Sequence, residues 1–139
     1  MAQKIFVDTS VWIALTSKND KNHQLISDFL PTAISRGAVF FTSNDVIDET
    51  ITRLIYDVGL HQAQKFIDEA KLNIQKRVLA QLWTDEQIQI EAMEILEKFS
   101  DPRLSMTDVT TIAIMKRFNL DAILTLDSDF KKIGIRCLP

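Results

Sequence analysis

Cysteine, glycine and proline are all scarce in this chain: one Cys, three Gly and three Pro among 139 residues. The lone Cys137 leaves no intrachain disulfide framework and no cysteine-based zinc site, which fits a reducing compartment. With 46% hydrophobic and 25% charged residues and no Gly- or Pro-rich tract, the composition excludes a disordered or low-complexity protein. No apolar run approaches the ~20 residues that a bilayer demands. The opening MAQKIFVDTSVWIAL lacks a basic start and is interrupted by Asp8, so no signal peptide is expected and the chain is placed in the cytoplasm, off the membrane. A positive excess is also missing: Lys and Arg number 16 against 19 Asp and Glu, a net charge of -3. That excludes coating nucleic acid by bulk attraction. It does not exclude a site that gathers acids around divalent cations, because such a site turns positive only when loaded.

Short apolar runs alternate with helical patterns. KIFV (4–7), AVFFTS (38–43), AILTL (122–126) and GIRCLP (134–139) read as strands. Helices are expected over 10–16, 22–36, 45–58, 60–76 and 107–119, with Gly37, Gly59 and Asn119 as stop signals. Thr84 to Gln87 matches a capping box ahead of a helix carrying Ile88, Ala92, Ile95, Leu96 and Phe99, which SDPR (100–103) breaks. The segment 78–83 fits either a helix end or a strand. In the last helix Val109, Ile112, Ala113 and Phe118 are expected to face inward. Strands alternating with helices imply crossover units and a parallel sheet covered on both faces, an α/β fold.

In open α/β sheets ligands bind beyond the carboxyl ends of the strands. Asp8 and Asp127 each follow an apolar strand, Asp129 extends the second, and Asp108 opens a helix that feeds that strand from the same edge. Each has a local alternative: Asp8 and Asp129 as caps, Asp108 as a partner of the helix dipole. Gathered together they would repel, at roughly 3 kcal/mol for two charges about 5 Å apart at an effective dielectric near 20. A bound cation offsets that cost, and all-oxygen ligation suits Mg2+ or Mn2+. Two such ions could clamp a phosphodiester. Neither histidine is needed; His23 and His61, among polar neighbours, are expected at the solvated surface. Trp12 and Trp83 could stack bases, or be buried in the core or a partner interface.

FVDTSVWIAL, DETITRL, LSMTDVTTIAIMKR and ILTLDSDF, in order across essentially the whole chain, together resemble the PIN-domain ribonucleases, particularly the VapC-type toxins. The resemblance implies a single α/β/α sandwich domain over residues 1–139 with a short central parallel sheet. It implies a pocket of acids that binds magnesium or manganese and hydrolyses RNA. Carried onto this chain, the catalytic acids are Asp8, Glu49, Asp108 and Asp127, and Asp8, Asp108, Asp127 and Asp129 are the metal ligands. Ser10, Ser105 and Thr125 match hydroxyl positions that place substrate or water. A homodimer, an antitoxin partner and membership of a type II toxin–antitoxin pair are implied as well. The alternatives are a solitary RNA-processing nuclease and a PIN-fold binding module without cleavage.

Glu49 rests on the resemblance. An apolar stripe of Ile47, Ile51, Leu54, Ile55 and Val58 leaves it nearly opposite, and Asp48 competes for the role. The Asp20-x-x-His23 element is expected to serve local structure. Lys18, Lys21, Lys131 and Lys132 are candidate phosphate contacts or plain solvated surface. An aspartate-nucleophile phosphatase, suggested by Asp127-Ser-Asp129, is disfavoured because that motif belongs after a first strand, which here offers Asp8 alone.

Overall fold

The computed structural model describes residues 2–99 and 103–139. In chain order the elements are β1 (Lys4–Val7), α1 (Thr9–Thr16), α2 (His23–Ser35), β2 (Val39–Ser43), α3 (Asn44–Asp57) and α4 (Leu60–Gln75). They continue with β3 (Leu79–Leu82), α5 (Glu86–Lys98), α6 (Met106–Arg117), β4 (Ala122–Leu124), α7 (Asp129–Lys132) and β5 (Cys137–Leu138). All strand pairs are parallel, in the order β3-β2-β1-β4-β5. The chain first builds outward from β1 through β2 to β3, then returns to place β4 on the other side of β1. That reversal makes the gap between the ends of β1 and β4 the switch point where such sheets bind ligands.

Alternation along β1 sends side chains to two cores. Phe6 packs with Ile123 and the residues of α5 and α6 on one face; Ile5 and Val7 pack with Leu124, Val11 and Ile26 on the other. Both faces are therefore covered, as the α/β reading expected. Seven consecutive residues of α6, Val109 to Met115, are buried, so this helix is enclosed all round instead of showing one apolar face. Trp12 touches both cores and a third cluster formed by Leu54, Ala63, Phe66 and Ala70. Its indole donates to Thr42 Oγ1 at 3.3 Å.

Several sequence expectations are corrected. Residues 78–83 contribute an edge strand, not a helix end. Strand β4 stops at Leu124, one residue before the Thr125 whose hydroxyl donates to Asp8, and β5 is confined to two residues. The helix after β3 is capped by Asp85, which accepts from the Ile88 N–H at 2.9 Å; Thr84 instead donates to Asp45 Oδ2 at 2.8 Å. Phe118 is 40% exposed because it follows the last turn of α6, where Asn119 takes a left-handed φ of 53° and ends the helix. Trp83 is 65% exposed and joins none of the cores formed by the described residues. His23 is half-buried, with Nδ1 2.7 Å from the Ala14 carbonyl oxygen, so the Asp-x-x-His element does serve local structure while its histidine is not free at the surface. Residues 100–102 of the helix-breaking SDPR lie outside the described residues.

Candidate active site at the carboxyl edge of the sheet

Asp8 follows β1 directly and occupies the N-cap position of α1, yet its side chain makes no capping bond. It turns across the switch point, where Thr125 donates to Oδ2 at 2.8 Å and Ser10 donates to the same oxygen at 3.3 Å. Those hydroxyls also accept, Thr125 from the Asp127 N–H at 3.0 Å and Ser10 from the Leu126 N–H at 3.1 Å. The start of α1 and the loop after β4 are thus fastened to each other through the Asp8 carboxylate. Asp127 forms the next link: its Oδ1 accepts from the Asp129 N–H at 2.9 Å, an Asx turn that starts α7. Asp129 is not a cap; its Oδ1 pairs with Lys132 Nζ at 3.2 Å.

Glu49, and not Asp48, is the acid of α3 that meets α1. The buried line of α3 runs through Val46, Thr50 and Leu54, while Ile55 and Val58 are exposed. Glu49 lies 100° from Thr50, on the flank that meets α1, where Thr9 donates to Oε2 at 3.2 Å; Asp48 is exposed. The expected stripe was misplaced because it counted only apolar residues. Thr50 is fully buried, its hydroxyl donating to the Val46 carbonyl at 2.7 Å. Glu49→Gln is expected to remove most of any activity of this site while Asp48→Asn leaves at least half, as measured by initial rates under identical conditions.

Asp108 sits in the first turn of α6 and combines two roles. Ser105 Oγ accepts from the Asp108 N–H at 3.1 Å, and Asp108 Oδ2 accepts from the Ser105 N–H at 2.9 Å, a reciprocal capping box. The local reading of Asp108 therefore holds together with its place at the rim. Ser105→Ala should lower stability by about 1 kcal/mol, the typical worth of such a cap, read as a shift in the urea midpoint at unchanged slope.

The electrostatics follow from this crowding. Burial is the main cause that pushes the Asp8 carboxyl up from 3.8 to about 6; the Thr125 hydroxyl and the Thr9 backbone lower it, and Asp108 and Glu49 raise it. Asp108 is also raised, first by burial, against the two Ser105 bonds that lower it, with Asp127 and Glu49 adding to the rise. Asp8 hence feels Asp108 and Glu49, and Asp108 feels Asp127 and Glu49. Every hydrogen bond described above falls on a single oxygen of its carboxylate: Oδ2 of Asp8 and Asp108, Oε2 of Glu49, Oδ1 of Asp127 and Asp129. Among the described residues, no three His, Cys, Asp or Glu side chains come together closely enough to hold a metal ion by themselves. A hard cation that keeps several of its waters fits this looser all-oxygen set better than one that needs full protein ligation.

A model of the PIN domain matches residues 5–136. The chain belongs to the PIN domain family. Its relatives include the 23S rRNA-specific endonuclease VapC20 of Mycobacterium tuberculosis, 31% identical over 94% of both chains. The crystal structure of that VapC20, a Sarcin-Ricin loop cleaving toxin, aligns with a TM-score of 0.81 at 27% identity over 94% of this chain and 95% of that one. Ribonuclease VapC6 of Methanocaldococcus jannaschii is 24% identical over 93% and 92% of the two chains. The Rickettsia felis VapBC2 structure, bound to a promoter DNA fragment, shares the fold at 14% identity with a TM-score of 0.67 over 98% of each chain.

Within this PIN domain, neither Thr9 nor Thr111 was singled out from the sequence. Thr9 holds Glu49, and the signal for it was present in the Asp-Thr-Ser start of α1. Thr111, one turn beyond Asp108 on the same face of α6, is 1% exposed, and its hydroxyl has no partner among the described residues. It could have been found only by asking why a threonine interrupts an enclosed helix.

Proposed function

We propose that the chain is a metal-dependent endoribonuclease that works as one domain over residues 1–139, in the cytoplasm, as the toxin of a type II toxin–antitoxin pair. The observation that carries the nuclease reading is Asp8: a carboxylate 5% exposed, held only by neutral donors and crowded by Asp108 and Glu49. A buried charge without a compensating partner is costly, and a divalent cation supplies what the protein withholds. Asp8, Asp108 and Asp127 are the residues proposed to hold Mg2+ or Mn2+, with Glu49 and Asp129 completing the shell or orienting water. Such an ion, when bound, supplies positive charge at the phosphate and a more acidic water.

The chain's own residues then have defined tasks. Thr125 and Ser10 fix the Asp8 carboxylate by one oxygen and keep it directed at the switch point. Thr9 does the same for Glu49, and Ser105 for Asp108. Hydrolysis joins a water oxygen to phosphorus and breaks the bond from phosphorus to the 3′ oxygen, leaving a 5′-phosphate and a 3′-hydroxyl. Lys132 is partly occupied by Asp129, so Lys131, exposed beside it, is the better candidate for a phosphate contact.

The names of the relatives support RNA as substrate and a toxin role. An apolar groove of about 460 Å³ between α1, α2 and α4, lined by Trp12, Leu15, Leu30, Ile34, Phe66 and Ala70, offers a surface for an antitoxin; a homodimer is also proposed. No helix among the described residues is long and apolar enough to cross a membrane. The test is to incubate the purified protein with a mixed RNA pool and Mg2+ and sequence the ends. Products with 5′-phosphates are expected; 2′,3′-cyclic phosphate ends, or no cleavage, would refute the mechanism.

A further inference from the structure

A small pocket opens on the same edge of the sheet as the acids. It measures about 240 Å³ and is lined by Asn44, Asp45, Thr84, Gln89, Met106, Thr107 and Thr110. It shares both of its main walls with the acids. Asp45 precedes Glu49 by four residues on α3, roughly 6 Å along the helix axis, and Thr107 is the residue before Asp108 in the first turn of α6.

The polar groups of the pocket fall into two sets. Asn44 Oδ1 accepts from the Thr84 N–H at 2.8 Å, Asp45 Oδ2 from the Thr84 hydroxyl at 2.8 Å, and the Thr110 hydroxyl donates to the Met106 carbonyl at 2.7 Å. These bonds fix the walls. Among the described residues, the exposed Gln89 amide and the half-buried Thr107 hydroxyl line the pocket without a hydrogen-bond partner, the amide with both a donor and an acceptor. Met106 stands exposed in the pocket itself, and Trp83, 65% exposed, lies outside the lining but directly before Thr84 in the chain. An exposed tryptophan next to a polar pocket suits a ligand that has a flat apolar face and a hydrogen-bonding edge. An unpaired nucleobase has both.

We propose that this pocket receives one unpaired base of the RNA next to the bond that is cut, with Trp83 as stacking surface and Gln89 and Thr107 reading the base edge. The pocket, at about 240 Å³, is roughly half the size of the apolar groove beside α1 and suits a small planar group. The proposal rests on the ribonuclease reading above and supplies the choice of cleavage position that the acids alone do not.

The experiment is cleavage of a randomised RNA pool with Mg2+, comparing the base frequencies flanking the cut for wild type, Trp83→Ala and the double variant Gln89→Ala/Thr107→Val. Wild type should favour one base at one flanking position. The double variant should lose most of that preference, and Trp83→Ala should raise KM about tenfold, the scale of one lost stacking contact, with kcat changed less. Gln89 and Trp83 are exposed, so these variants should fold, and circular dichroism melts verify it; Gln89→Ala alone replaces the double variant if Thr107→Val does not fold. Unaltered base frequencies with unaltered KM overturn the pocket assignment while leaving the nuclease intact, and so does a wild type that cuts with no base preference. A wild type that cuts no RNA at all refutes the nuclease reading itself, and the pocket assignment with it.

Discussion

Replacing Asp8 by Asn will abolish RNA cleavage and, in the absence of metal, make the protein more stable. The loss of activity should be about 10³-fold, the upper part of the range for losing one group that stabilises charge in the transition state, here through the ion that Asp8 is proposed to hold. The gain in stability has a definite sign. The Asp8 carboxyl is raised from 3.8 to about 6 in the folded state, so its contribution to stability is complete below about pH 4 and is lost as pH rises through 6. At pH 7.5 the ionised, buried carboxylate therefore opposes folding, by at most about 3 kcal/mol at 1.36 kcal/mol per unit. Asparagine keeps an oxygen to accept from Thr125 and Ser10 and removes the charge. Melts in EDTA should show the variant and wild type coinciding near pH 4 and separating between pH 4 and 6, with the variant higher. A variant less stable than wild type at pH 7.5 would mean that Asp8 is held for structure, and the cation argument would fall.

Metal should act on the wild type in the opposite sense to EDTA. An ion that binds only the folded protein stabilises it by about 2.7 kcal/mol at a hundred times its dissociation constant. For a chain of this size that is roughly 5 to 11 °C of melting temperature, at about 2 to 4 °C per kcal/mol. Mn2+ and Mg2+ should both raise the melting temperature of wild type at pH 7.5. The increase should shrink below pH 6, where Asp8 takes up a proton, and Asp8→Asn should show little of it at any pH. Ca2+, which accepts longer and more numerous oxygen ligands, should stabilise the fold without supporting cleavage. A melting temperature indifferent to all three ions would leave the crowded carboxylates without the partner proposed for them.

The strands that carry the site were readable because a buried parallel strand leaves a continuous apolar run, and an acid directly after such a run stands out. Asp8 after KIFV and Asp127 after AILTL are of this kind. The sheet order was not readable: nothing local in the sequence says that β4 lies beside β1, a pairing that joins residues more than a hundred positions apart. Glu49 was obscured because the buried line of α3 includes a threonine whose hydroxyl is satisfied by its own helix, which no hydropathy pattern registers. The Ser105–Asp108 capping box was passed over in favour of Thr84 and Gln87, whose spacing is equally good. The choice was made by Asn44 and Asp45, which draw Thr84 away from the helix start. Trp83 defied its usual burial because β3 is an edge strand that ends at the rim.

The enclosure of α6 limits where new chemistry can arise in this molecule. A helix wrapped by neighbours on every side tolerates few changes of volume along Val109 to Met115, so the position of Asp108 is inherited from the core and is not open to adjustment by surface drift. Diversification of target choice must then come from the first turns of α3 and α6, from the end of β3 and from the loop after β4. Those segments can vary around an acid whose location they do not determine.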